Sequence, residues 1–479
     1  MSKSKWIWRG IIGLLALYAI FAGISRHMHI SGLAHDLRYG SRNERIMAAK
    51  ELMKRDRLYD KVQEMPKSAR IEVMDAIEEL PGPLTVKQCL TLLKDTEADV
   101  RTRVTKTLTL LGKDHIEILV LAMKDFDENV RNGAKDALVA IGPRVISYVQ
   151  RATEEPELRG AAFEVLVRIG APSVPALNGL LNADDQDVRM AAADSLGKVG
   201  SKKATPALLK AANDLAAVRR VAISSLCTIC DPRSTDLLVD VLSHTKDDGE
   251  VRARAARALS VIGGPKAVAA LTGALGDWDL KVRTSVITGL QTMGTPAVKP
   301  VMAAISRGSG EVRRAGAVVL ENIDSPEAVP ALLQLARDGD PAVRASAARG
   351  LGAQSSDIRV DVLIALLADE DGRTADAALG SLVRLGKHRG DAVASLASVL
   401  QSSTSDVVKY RAADALARIG ENVVDPLLAV LNSGGDAARF AAYALGRTGD
   451  PDAKAALEKF AAASDPDLAW VAKRALAHM

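Results

Sequence analysis

A chain of 479 residues is too long for one conventional hydrophobic core and calls for several domains or a repeat array. Hydrophobic residues at 48% with aromatics at only 3% favour closely packed helices over strands, and charged residues at 25% exclude general disorder. The net charge of +4 is uneven: residues 1–70 carry 14 Lys or Arg against 6 Asp or Glu, so the remainder is slightly acidic, which argues against a general nucleic-acid binder.

At the N-terminus, residues 10–24 are uncharged and apolar. Adding Trp6, Ile7 and Trp8 gives nineteen residues interrupted only by Arg9. As a helix these reach about 28 Å, near the hydrocarbon thickness of a bilayer. Residues 1–30 are therefore expected to be a transmembrane anchor with its flanks. Trp6 and Trp8 would sit at headgroup level and Arg9 would snorkel. A cleaved signal peptide is the competing reading, with Lys3, Lys5 and Arg9 as its basic region, but Ile20-Phe21-Ala22 is a poor cleavage site. A buried core helix is a third. Lys3, Lys5 and Arg9 favour a cytoplasmic N-terminus and an extracytoplasmic remainder. Arg26, Arg38 and Arg42 compete from the other side, and the basic stretch up to Arg70 keeps a cytoplasmic placement open. His27, His29 and His35 follow the apolar run. They read more simply as scattered polar residues than as a metal or pH-sensing cluster.

After residue 30 the chain is self-similar. The segments DVRTRVTKTLTLLG (99–112), DVRMAAADSLGKVG (187–200), EVRARAARALSVIG (250–263) and EVRRAGAVVLENID (311–324) share Val-Arg, a small apolar run and a Leu seven residues after the Arg. Alignment on that Leu defines a slot filled by Arg45, Arg70, Arg101, Arg131, Arg159, Arg189, Arg219, Arg252, Arg283, Arg313 and Arg344, then by Ala375, Lys409, Ala438 and Ala469. These are fifteen units spaced by 25 to 34 residues. Each reads as two helices. The first opens near a proline such as Pro175, Pro206, Pro300, Pro330 or Pro426. The second has an acid such as Asp187 or Asp277 near its start and glycines such as Gly197 and Gly200, or Gly446 and Gly449, at its end. The residues one before, three after and seven after the slot share one face and are small or apolar, so that face is core. One hairpin cannot bury its own apolar face, so the units must stack. The fold class is all-α: residues 31–479 form an α-solenoid of about fifteen helical-hairpin repeats behind one transmembrane helix.

The recurring Asp-x-Val-Arg…Leu-Gly pattern resembles the HEAT-repeat family, in particular its short bacterial form related to phycobilin lyase-type repeats, over roughly residues 33–479. The resemblance implies that Arg101, Arg131, Arg159, Arg189, Arg219, Arg252, Arg283, Arg313 and Arg344 form a structural ladder bonding adjacent repeats through the preceding acids, ending near Arg344. It also implies that the outer face of the second helices lines a concave surface. Two enzymatic relatives are similar in repeat only. Deoxyhypusine hydroxylase-like proteins hold iron with His-Glu pairs, and no His-Glu dipeptide occurs here. Phycobilin lyase-like proteins share the repeat without a catalytic motif that can be matched.

No P-loop, dinucleotide fingerprint or zinc-protease motif is present. Cys227-Thr-Ile-Cys230 is the only CxxC of the sequence, and its cysteines fall where Gly197 and Gly200 stand in the previous unit, which reads as small residues at a helix end. No catalytic residue, metal ligand set or cofactor is expected. The informative positions are those one and five after the slot. They are mostly acidic early (Asp75, Asp136, Glu164, Asp194), basic in the middle (Arg220, Arg257, Arg314, Arg349), and aromatic and basic at the end (Tyr410, Arg439, Tyr443, Trp470, Arg474). Exposed Tyr, Trp and Arg dominate binding hot spots, although Trp470 in the final unit could instead cover the open end of the stack. The expected partners are a protein or peptide on this face and a membrane at the N-terminal helix. Nucleic acid and small molecules are not expected. A lyase-like enzyme or maturation factor, and nucleic-acid binding through Arg220, Arg257, Arg314 and Arg349, stay open as alternatives.

Overall fold

The computed structural model describes residues 3–244, 248–354, 360–420, 422–462 and 466–479, with the backbone alone for 3–14, 17 and 24. Among the described residues there are helices and turns and no strand. The chain forms two compact units, residues 1–229 and 230–479.

Within each unit, first and second helices alternate. All fifteen slot residues, from Arg45 in Arg42–Lys54 to Ala469 in Pro466–Leu476, are the fourth residue of a second helix. The register follows from capping. Asp127, Asp185, Asp279, Asp340 and Asp371 each lie four residues before the slot and accept backbone N–H bonds from the first turn that follows. The cap is therefore two residues upstream of Asp187, and Asp277 holds the turn instead: its carboxylate accepts the N–H of Asp279, which caps the helix.

Val100, Val104 and Leu108 are fully buried, as are Val343, Ala347 and Leu351. They occupy the positions one before, three after and seven after the slot. Each buried Val or Leu contributes about 1.5–3 kcal/mol, which is why this stripe sets the stacking. Gly200 closes Gln186–Val199 at φ 69, in the left-handed region, and Cys230 occupies the equivalent place one hairpin later at φ 49. Gly446 is a glycine for a different reason. A Cβ there would lie 2.5 Å from that of Ala475.

Two expectations need correction. Pro300 does not open a helix; it lies inside Thr295–Arg307. Pro296 takes the early position there, because the helix begins a turn sooner than in hairpins whose entry is a separate 3₁₀ turn, such as Ala171–Ser173 before Val174–Leu180. The second concerns the N-terminus. Among the described residues no helix is long and apolar enough to cross a membrane, which overturns the single-pass anchor and the extracytoplasmic placement built on it. Among the described residues the limit is length: residues 15–24 reach about 15 Å as a helix, short of the ~30 Å hydrocarbon core. The helix Lys3–Tyr39 then continues through Arg26, His27, His29, Asp36 and Arg38, and buries Leu37 while packing on Arg42–Lys54. The side chains of Trp6, Trp8 and Arg9 lie outside the described residues.

Candidate partner-binding cleft

The slot arginines hold turns together. A cation in the first turn of a helix opposes the helix dipole, but side chains there point back toward the N-terminus and reach the carbonyls of the turn that precedes the helix. Arg101 donates to the carbonyls of Asp95 and Thr96 at 2.7 and 2.9 Å, Arg131 to Asp125 and Phe126, both at 2.8 Å, and Arg283 to Asp277 and Trp278 at 2.6 and 3.1 Å. Other rungs also bind the turn carboxylate of the following hairpin. Arg70 meets Asp95, Arg189 meets Asp214, Arg252 meets Asp277, Arg313 meets Asp338 and Arg344 meets Asp369, each 25 residues on. Arg159 reaches Asp185 at 2.6 Å. Arg219 occupies the same fourth position in Ala216–Ile229. Asp95, Asp277 and Asp338 therefore each bind one arginine by carboxylate and the next by carbonyl. Arg344 holds the Asp369 carboxyl below its usual range, chiefly by hydrogen bonding.

Beyond Arg344 the slot is Ala375, yet the turn is still held. Arg411, from the next second helix, donates to the carbonyls of Leu367 at 2.5 Å and Asp369 at 3.5 Å. Lys409 then binds Asp436 at 2.7 Å. The contacts thus pass Arg344, where the sequence suggested an end.

Most of the central basic set is already paired. Arg257 donates to Ser285 at 3.0 Å and lies 3.5 Å from Glu250. Arg314 pairs with Asp340 and Glu311, and Arg349 forms a two-pronged pair with Glu321 at 2.7 and 3.0 Å. Arg220 is exposed in the other unit. Phosphate tracking needs uncommitted cations, and three of these four already face carboxylates.

The five end residues come together. Asp406–Ile419, Gly435–Gly446 and Pro466–Leu476 are consecutive second helices, and their outer faces line a cleft of about 810 Å³. Tyr410, Arg439, Tyr443, Trp470 and Arg474 all line it, joined by Phe440 and Arg447. Tyr410 and Tyr443 lie 5.2 Å apart between ring centroids, with their hydroxyl oxygens 3.2 Å apart. Arg447 donates to the Tyr443 hydroxyl at 3.2 Å, and that bond raises the pKa of Arg447. The Tyr443 bond is also the main reason the Tyr410 phenol is pushed up. Arg474 lies 5.3 Å from the Trp470 ring centroid. Trp470 remains 60% exposed and Tyr410 50% exposed, so neither is buried against the stack. The buried face of Pro466–Leu476 is supplied by Leu468, Ala469, Ala472 and Ala475. Lys409 and Arg439 hold the Asp436 carboxyl below its usual range.

Sequence reasoning missed Arg447 because it follows its helix rather than standing one or five after a slot. It missed Phe440 because that residue is two after the slot. Elsewhere, Cys89 is buried and burial pushes its thiol up to about 12, which makes it a poor nucleophile. No group of three or more His, Cys, Asp or Glu able to hold a metal exists among the described residues.

Repeated hairpins stacked in one register define the α-solenoid class. The HEAT-repeat family matches residues 142–226, 214–291, 298–383 and 393–477, about two thirds of the sequence, and the chain belongs to that family. The match is to HEAT repeats in general and does not carry the narrower lyase-type resemblance. No curated protein matches the chain. Similar solved structures include the karyopherin Kap121p bound to the extreme C-terminus of the protein phosphatase Cdc14p, with TM-score 0.50 and 12% identity, covering 95% of this chain and 57% of that one. Kap121p alone is also similar, with TM-score 0.47 and 12% identity, covering 94% and 56%. The chain thus spans little more than half the length of these relatives, and at such identity the likeness shows the fold alone.

Proposed function

We propose that this chain is a HEAT-repeat scaffold that holds a protein partner by a peptide segment laid in the cleft of its last three second helices. The observation that carries this reading is the set of exposed Tyr410 and Trp470 with half-buried Tyr443, and Arg447 and Arg474 beside it, in a chain that has few aromatics at all. Aromatics left half in water on a rigid helical face offer contact area at low entropic cost. A solenoid segment gives them fixed spacing, because each helix is set by its buried stripe. Peptide capture also suits the fold: Kap121p, on the same architecture, takes the extreme C-terminus of another protein.

The test is selection from a random peptide library on the full chain, run beside the Tyr443→Ala, Trp470→Ala double variant. Truncating each hot-spot aromatic costs about 2 kcal/mol, so peptides enriched by the parent should be lost by the variant while its helical melting curve stays in place. Equal enrichment by both proteins, or none by the parent, would overturn the reading.

A further inference from the structure

The cleft's polar groups are unevenly matched. Its acids are occupied: Asp436 binds Lys409 at 2.7 Å and also Arg439, and Asp406 lies 3.7 Å from Lys409. Arg439 is likewise committed, to Asp436 and to Asp467 at 3.3 Å. Arg447 and Arg474 differ. Both are exposed, and neither has a carboxylate partner among the described residues. What they touch is aromatic: Arg447 lies 5.8 Å from the Tyr443 centroid and Arg474 5.3 Å from that of Trp470. Arg447 spends one N–H on the Tyr443 hydroxyl, and since a guanidinium carries five such donors, both side chains have donors to spare.

The tyrosine pair adds another donor. Arg447 already fills an acceptor site on the Tyr443 oxygen. The two phenols carry two hydrogens and use one between them, so one O–H stays available. The unanswered groups of this cleft among the described residues are therefore two cations, one hydroxyl donor and the His478 imidazole, set among Trp470, Tyr410 and Phe440. A ligand that completes the site must bring acceptors, negative charge and an apolar side chain.

We propose that the occupant is an acidic peptide segment of the partner protein, whose carboxylates bind Arg447 and Arg474 while a neighbouring aromatic or aliphatic side chain packs on Trp470 and the tyrosine pair. The inference rests on reading this cleft as the peptide site. Paired arginine–carboxylate bonds supply direction as well as strength, and the rings keep both guanidinium groups from swinging freely.

The test uses a fluorescein-labelled peptide alternating Glu and Phe, with its Gln-for-Glu and Lys-for-Glu counterparts, titrated against the full chain. The acidic peptide should bind about tenfold more tightly than the Gln peptide, and the margin should shrink as salt rises. The Arg447→Gln, Arg474→Gln double variant, both positions being on the surface, should bring the acidic peptide down to the level of the Gln peptide. Equal or tighter binding of the Gln or Lys peptide, or an undiminished margin in the variant, would overturn the acidic preference and leave the cleft as a peptide site. Failure of all three peptides to bind would also overturn it, and the random-library selection then decides the fate of the cleft itself.

Discussion

Two stretches of the second unit use the same backbone register for different ends. In the hairpins with slots Arg252, Arg283, Arg313 and Arg344, arginines are bound to turn carbonyls and to carboxylates of the next turn. In those with slots Ala375, Lys409, Ala438 and Ala469, the slot residue is still the fourth of its helix, yet most of the arginine ladder is gone. The hairpins still stack, because the buried stripe persists at Val408, Ala412 and Leu416. The comparison separates two jobs for arginine. A guanidinium bound to turn carbonyls or to a carboxylate is structural, even where a ring lies beside it, as Trp278 does 5.4 Å from Arg252; one with a ring beside it and no carboxylate is left to meet something else.

The largest expected effect that would break this contrast lies at the rung Arg252–Asp277. Arg252 is fully buried, its Nε and Nη2 have no hydrogen-bond partner, and its main compensation is the Asp277 carboxylate. Asp277→Ala strands that charge and removes the bond to the Asp279 N–H, so it should cost about 3–5 kcal/mol. Urea unfolding followed by helical circular dichroism measures it. A loss under about 1 kcal/mol would mean the rung is ornamental and the contrast empty.

A smaller effect is expected where the ladder changes form. Arg411→Ala removes the donor that stands in for an arginine at slot 375, leaving the carbonyls of Leu367 and Asp369 without it. Leu367 is fully buried and Asp369 half-buried, but what is left unpaired is a neutral carbonyl and not a charge, so the cost should be about 1–3 kcal/mol. Hydrogen exchange should show faster opening confined to the 360–420 hairpins. Uniform protection across that stretch would show that the substitute bond carries no weight.

Much of the fold was legible in the sequence because a repeat states its rule many times. The Val-Arg…Leu spacing fixes the slot, and the slot fixes which residues are core. The ladder's partners were less legible. Asp277 reads as an ordinary helix-start acid until the turn shows it facing the previous arginine. The cue was present as Asp-x-Asp before the slot at 125–127, 277–279, 338–340 and 369–371. Arg411 had no such cue, since it is off-register and acts across 44 positions. The N-terminal apolar run shows the opposite error. Hydropathy over nineteen residues suggested a span, whereas among the described residues no helix is long and apolar enough to cross a membrane. In the cleft, the aromatic and basic residues at regular offsets could be named in advance. Arg447 could not, because a residue that follows a helix belongs to no periodic face.

The smallest stability effect probes the other half of the comparison. Tyr443→Phe keeps the ring but deletes the oxygen that accepts from Arg447 and meets Tyr410. Tyr443 is half-buried on the cleft wall, so stability should move by no more than about 0.5 kcal/mol. The electrostatics should move more. Tyr410 is raised first of all by its bond to Tyr443, so its ionisation should fall toward the ordinary phenol value in an ultraviolet titration. Arg447 loses the anchor that raises it, and the acidic peptide should bind several-fold more weakly through the freed side chain. An unmoved Tyr410 titration together with unchanged peptide affinity would mean that the hydroxyls orient nothing. The arginines of this end would then be surface residues that happen to lie beside rings, and the division between structural and recognising arginines would lose its second half.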